Sequence, residues 1–179
     1  MRLAGDHVVL EPLSLDHADD LGRAASDGRL WELWCTSVPT PAGMRAEVQR
    51  RLAEQAGGRT LPFTTRRADT GAVVGMTSSL DAYPVTPRME IGSTWNARST
   101  QRTGTNTESK LLLLAHAFGV LGCVAVEFRT HWLNLQSREA ITRLGAKQDG
   151  VLRPGPTLPP GPRAAPRRRR PDRCRGPTR

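Results

Sequence analysis

The sequence predicts a mixed α/β domain built on one sheet, and three observations carry that expectation. Short β-branched or aromatic runs bounded by turn residues recur at 7–13, 61–67, 72–80, 88–96 and 123–130. Segments with helical apolar spacing stand between them. The resulting order is strand, helices, three strands, helix, strand, helix, which fits an α+β or mixed α/β layout on a single core.

The first run, HVVLEPL at 7–13, is a strand that reaches Pro12. Asp16 is placed to cap a helix through Leu21 to about Ser26. In RLWELWCTSV at 29–38, Trp31 and Trp34 are three apart, the spacing of one helical face. They either pack on the core or form one wall of a substrate pocket. Pro41 starts a second helix through Val48 and Leu52, which stops near Gly57 and Gly58. The strands at 61–67 and 72–80 flank Asp69-Thr70-Gly71, which has hairpin-turn chemistry. In RMEIGSTWN at 88–96, Met89, Ile91 and Ser93 alternate with Glu90, Gly92 and Thr94. A polar loop at 98–110 opens a helix in which Leu111, Leu112, Ala115, Phe118 and Leu121 share a face, with Gly122 as its cap. Val124, Val126 and Phe128 mark the last strand, and a helix near 137–144 stops at Gly145.

Charge divides the chain. The 179 residues carry 26 Lys and Arg against 17 Asp and Glu. Nine arginines and one aspartate fall in 151–179, which leaves 17 against 16 in the first 150 residues. The body is nearly neutral, which argues against a broad nucleic-acid surface. The tail also holds 8 of the 14 prolines and no aromatic residue, a composition of disorder. Cys35, Cys123 and Cys174 are odd in number and contain no CxxC pair, so neither a disulfide framework nor a zinc site is expected. No apolar stretch approaches the roughly 20 residues of a membrane helix. The start of the chain lacks the apolar region of a signal peptide. A soluble, cytoplasmic protein without a metal is the expectation.

The chemistry concentrates in Gln101-Arg102-Thr103-Gly104-Thr105-Asn106, between a strand and a helix start. Glycine lets a backbone approach a ligand closely. The first turn of a helix presents unpaired N–H groups and the positive end of a dipole, which suits a pyrophosphate. Arg98 and Arg102 could add charge.

This segment resembles the pyrophosphate loop of the GNAT acyltransferases, whose pattern is Gln/Arg-x-x-Gly-x-Gly/Ala. Gln101 and Gly104 fit it. Asn106 departs from the small third position, as in the branch resembling the ribosomal-protein N-terminal acetyltransferases. The second motif follows the strand at 123–130: Asn134-x-x-Ser137, then REAITRLGAK, in the order and separation the family shows. The resemblance spans about 7–153. It implies a single, mostly antiparallel sheet flanked by helices. It also implies acetyl-CoA as co-substrate and acetyl transfer to a primary amine, either a protein N-terminus or a small molecule.

Residue roles follow from the same resemblance. Glu90 is the candidate general base, or else a salt-bridged strand residue. Ser137 is the candidate donor to the sulfur of CoA, or else a helix cap. The backbone at Ser93, Thr94 and Trp95 would bond pantetheine and the acyl oxygen. Gln101, Arg102, Thr103, Gly104, Thr105 and Asn106 would hold the pyrophosphate, and Asn134 the pantetheine arm. Trp31, Trp34 and Tyr83 would line a small acceptor pocket with Glu90. His131 is an alternative base.

The resemblance stops after Arg153. The domain is therefore read as 1–153, and 154–179 as a Pro/Arg-rich tail. A family member would continue with a closing strand; prolines at this density cannot supply ladder donors. The tail is either an out-of-frame translation, a basic appendage that attracts nucleic acid, or solvated chain. Loss of the strand makes two further expectations reasonable: closure assisted by a homodimer, and a catalytically impaired acyl-CoA-binding relative.

Overall fold

The computed structural model describes residues 1–83 and 87–152, without the side chains of 81–83. The tail at 154–179 lies outside the described residues. The chain forms two compact units, Met1–Arg129 and a second that begins at Thr130.

The first unit holds one six-stranded sheet in sequence order: β1 (Leu3–Ala4), β2 (Val8–Pro12), β3 (Thr60–Arg67), β4 (Val73–Tyr83), β5 (Arg88–Asn96) and β6 (Ala125–Glu127). All neighbours are antiparallel except β5 and β6, which run parallel. The mostly antiparallel sheet flanked by helices is thus as expected. Among the described residues no strand follows β6.

Helices α1 (Ala18–Ser26) and α2 (Met44–Ala56) precede β3, and α3 (Gly104–Gly119) links β5 to β6. The start of α1 is set by Ser14, not Asp16. A one-turn 3-10 helix at Leu15–His17 comes first, and Ser14 forms a capping box with His17. The His17 ring also meets the Thr64 hydroxyl at 2.8 Å and Glu11 at 3.3 Å, which ties this turn to the sheet. Pro41 opens a 3-10 turn, capped by Thr40, that leads into α2.

Two cores lie within this unit. One joins Leu21, Ala25, Met44 and Val48 to Val74, Met76 and Trp95. The other joins Val8, Leu10, Phe63 and Ile91 to Leu113 of α3. Membership of β5 in both cores is informative. Side chains on a regular strand alternate, so Ile91 and Trp95 should share a face. They sit in different cores because the register slips: Ser78 pairs with Gly92 but Met76 pairs with Trp95. One extra residue is inserted on β5 at 93–94, a β-bulge. The strict alternation expected through Thr94 therefore ends at Gly92.

One other expectation changes. The stretch 29–38 is not a helix; a 3-10 turn covers only Leu30–Glu32, and the backbone extends at Leu33. Cys123 is a free thiol. Among the described residues no helix is long and apolar enough to cross a membrane.

In the second unit, α4 (Leu135–Arg143) is capped by Asn134, and Gly145 takes a left-handed φ of 86° just beyond it. Arg138 stacks on the Trp132 ring at 3.9 Å.

Candidate active site

Three of the chain's features meet at the end of β5. The first is the bulge. Ser93 has φ 50°, one of only three non-glycine left-handed residues among those described. Such a conformation costs an L-residue about 1–2 kcal/mol, so surrounding structure must hold it. Thr94 donates its hydroxyl to the Gly92 carbonyl at 3.2 Å, which closes the bulge.

The second is an open strand edge. The parallel ladder pairs Arg88, Met89 and Glu90 with Ala125, Val126 and Glu127 and then stops. From Ile91 onward that side of β5 has no strand partner among the described residues. Its backbone N–H and C=O groups on that side lie outside the ladder.

The third is the mouth of α3. Arg102 takes φ 63°, so the tight turn falls on an arginine rather than on the glycine. Thr103 caps the helix: its hydroxyl accepts from the Thr105 N–H at 3.3 Å and donates to the Thr100 carbonyl at 2.7 Å. The amides of Gly104 and Asn106 have no intrahelical acceptor in the first turn and carry the positive end of the dipole. The loop is tied back to β5. Gln101 donates to the Asn96 carbonyl at 3.1 Å, and Asn96 donates to Asn106 at 3.4 Å. A Cβ on Gly104 would lie 2.6 Å from Cδ2 of the exposed His7 ring, which would have to turn away.

A cavity of about 530 Å³ opens against the bulge. Ser93, Thr94 and Trp95 form one wall, Thr36, Ser37 and Pro39 another, and Glu47, Arg50 and Arg51 of α2 the third. The sequence reading does not anticipate the three charged residues. Glu47 accepts from Arg50 at 2.8 and 2.7 Å and from Arg51 at 2.7 Å. The hydrogen bonds from Arg50, aided by the Arg51 charge and opposed by burial, hold the Glu47 carboxyl below its usual range. It is a poor proton acceptor. A sequence signal exists: Glu47, Arg50, Arg51 and Glu54 are spaced for helical ion pairs. Such spacing does not reveal which way the ladder faces.

The other anticipated residues are placed as follows. Glu90 lies on β5, with an 11% exposed side chain 3.3 Å from Arg129. It is not among the cavity-lining residues. Trp31 lies in the 3-10 turn, and Trp34 is half exposed; neither lines the cavity. Tyr83 closes β4 opposite Arg88, and its side chain is outside the described part. In the second unit, the Asn134 side chain accepts from the Ser137 N–H at 3.1 Å. Capping is therefore done by Asn134 and does not occupy the Ser137 hydroxyl.

Comparison with known families settles the class, since the acetyltransferase (GNAT) domain family matches residues 7–147. The chain belongs to the GNAT acetyltransferases. Among solved structures, this GNAT chain is similar to an assigned acetyltransferase from T. thermophilus. The two are 31% identical, with 88% of this chain and 81% of that one covered, at a TM-score of 0.74. A GCN5-related N-acetyltransferase from Brucella melitensis is 29% identical, covering 86% of this chain and 70% of its own, at 0.72. An acetyl transferase from Salmonella typhimurium, which modifies the N-terminal serine of ribosomal protein L7/L12, shares the GNAT fold. It is 16% identical, covers 80% of this chain and 83% of its own, and has a TM-score of 0.68. No curated protein matches the chain.

Proposed function

We propose that this GNAT chain transfers an acetyl group from acetyl-CoA to a primary amine, at a protein N-terminus or on a small molecule. The observation that carries the reading is the convergence of the 93–94 bulge, the open edge of β5 and the capped mouth of α3. An anionic pyrophosphate suits the mouth of α3, where the Gly104 and Asn106 amides and Arg102 offer donors and charge. An extended amide-bearing arm suits the open edge at 91–96. Bound there, acetyl-CoA would supply an activated acyl carbon.

The chain's own residues then have definable tasks. The amine nitrogen must form a C–N bond while the C–S bond breaks. An ammonium cannot attack, so its proton must first leave, and Glu90 is the proposed acceptor, directly or through water. Negative charge growing on the acyl oxygen calls for a fixed N–H, which the bulge at Ser93–Trp95 can aim outside the ladder. The departing sulfur needs a proton, and Ser137 is the proposed donor, with Asn134 ordering its turn; these two roles rest on the sequence motif. The cavity beside Ser93, Thr94 and Trp95 gives an acceptor room.

Calorimetric titration with acetyl-CoA tests the reading. Saturation at ~100 times the dissociation constant should stabilise the fold by roughly 2.7 kcal/mol. A proline at the first helical position removes one amide donor and preserves the helix. Gly104→Pro, made in a His7→Ala parent that clears the collision, should therefore weaken binding without loss of cooperative unfolding. A chain that unfolds cooperatively and ignores acetyl-CoA would sink the proposal.

A second reading has one observation in its favour. The Glu90 carboxylate is already engaged by Arg129. A chain that binds acetyl-CoA but turns over no faster than its Glu90→Gln variant would be an acyl-CoA-binding relative without catalysis. With Glu90 as base, that variant should lose about 10²-fold in turnover of an accepted amine.

A further inference from the structure

Lys110 stands out once the site is described. It lies in the second turn of α3, and its residue is only 6% exposed. A lysine is rarely buried to this extent without a paired charge. Among the described residues, no carboxylate forms a salt bridge with it. Its Nζ instead donates to the Thr77 hydroxyl on β4 at 3.0 Å and to the Thr94 hydroxyl on β5. Those two hydroxyls also meet each other at 2.8 Å. Burial without a counter-charge brings the Lys110 amine down to about 7.

The location gives this cost a purpose. Thr94 is the bulge residue whose hydroxyl closes onto the Gly92 carbonyl, next to the strained Ser93. A bulge held by one hydroxyl would be free to slip back into regular register, which would turn Trp95 out of its core. An amine keeps at least two hydrogens in either protonation state, so Lys110, anchored on α3, can hold both Thr77 and Thr94 at once. Lys110 thus links the helix whose first turn offers the anion site to the strand segment that offers the acyl-oxygen donor.

We propose that Lys110 is a positioning residue for acyl transfer: through the Thr94 hydroxyl it locks the 93–94 bulge in the form that aims the β5 backbone at the acetyl carbonyl. This deepens the acetyl-CoA reading and rests on it. Nothing in the geometry requires Lys110 to touch substrate.

The test compares CoA with acetyl-CoA, because a positioning role at the acetyl carbonyl affects only the second. Dissociation constants are measured by calorimetry for the full chain and for Lys110→Met, Thr94→Val and Thr94→Ser. The carbonyl resonance of bound [1-¹³C]acetyl-CoA is recorded for each. Lys110→Met should bind CoA much as the wild type does, while the ratio of CoA to acetyl-CoA dissociation constants falls by about fivefold, as for one modest hydrogen bond. The bound carbonyl resonance should move toward its free position. Thr94→Val should do the same, Thr94→Ser should restore both readouts, and Lys110→Met with Thr94→Val should lose no more than either alone. A wild type that binds neither ligand overturns the acetyl-CoA reading and this inference with it. A wild type that binds acetyl-CoA, alongside a Lys110→Met chain with unchanged ratio and resonance, overturns this inference alone. If Lys110→Met fails to unfold cooperatively, the Thr94→Val and Thr94→Ser pair decides by the same criteria.

Discussion

Glu108 shows what one side chain contributes to this molecule. Its carboxylate accepts the backbone N–H groups of Asp6, His7 and Val8 at 2.9, 2.7 and 2.7 Å. The turn between β1 and β2 is thereby fastened to α3, and a Cβ on Gly5 would collide with the same carboxylate. Burial alone would raise the Glu108 pKa, but the three N–H bonds prevail and lower it from its ordinary 4.5. A carboxyl with a depressed folded pKa stabilises the protein above the unfolded value and loses that contribution as pH falls through the folded value. Glu108→Ala leaves three amides without their acceptor, partly open to water. It should cost about 1–2 kcal/mol at neutral pH. Urea unfolding of both chains at pH 7, 5 and 3 checks this: the gap should persist at pH 5 and narrow below 4.5. A gap that does not change with pH would assign the loss to packing instead.

At the scale of elements, the bulge in β5 is the feature whose disruption is most specific. Ser93 sits at φ 50°, a region that β-branched residues enter only under strain. Ser93→Val should lower stability by about 1–2 kcal/mol and weaken acetyl-CoA binding, whereas Ser93→Gly should be near neutral in stability. Denaturation midpoints and calorimetric affinities for the two variants distinguish backbone strain from loss of the hydroxyl.

The same element shows where sequence reasoning stops. The bounds 88–96 are legible because apolar alternation and flanking turns are local signals. The inserted residue is not, because Gly92, Ser93 and Thr94 carry no large side chain whose face could be read. The α3 face differs from expectation for a related reason. Leu111, Phe118 and Leu121 are about half exposed, whereas Thr105, Ser109, Lys110, Leu113 and Ala117 are buried. The polar members of that stripe are satisfied one by one: Lys110 reaches Thr77 of β4 and Thr94 of β5, Ser109 bonds the Asn106 carbonyl and Thr105 meets the Thr103 cap, and hydropathy cannot see such partnerships. Trp31 and Trp34 are spaced for a helix, but spacing is not a contact, and the left-handed Arg29 on one side and the extended Leu33 on the other confine that segment to a single turn. The junction at 101–106 between β5 and the start of α3 is legible because cap chemistry is local. The cavity residues Glu47, Arg50 and Arg51 are not, because their placement depends on how α2 packs.

For the molecule as a whole, charge is segregated by position along the chain. Residues 154–179 contain eight arginines and one aspartate, whereas the first 150 residues carry 17 basic and 16 acidic side chains. Polyanion binding through phosphate neutralisation depends on local cation density and not on total charge, because each contact releases condensed counterions. The body should therefore bind nucleic acid weakly and the tail should supply nearly all of the affinity. The full chain on duplex DNA should show a slope of log K against log salt of about −3 or steeper, at roughly −0.9 per phosphate neutralised. Removal of 154–179 should abolish that binding and leave acetyl-CoA affinity unchanged, since every residue proposed for the cofactor lies before 138. Fluorescence anisotropy and calorimetry on the two chains measure both quantities. Loss of acetyl-CoA affinity with DNA binding retained would reverse the assignment: the arginine-rich segment would then belong to the enzyme, and the body would carry a polyanion surface that its near-zero net charge conceals.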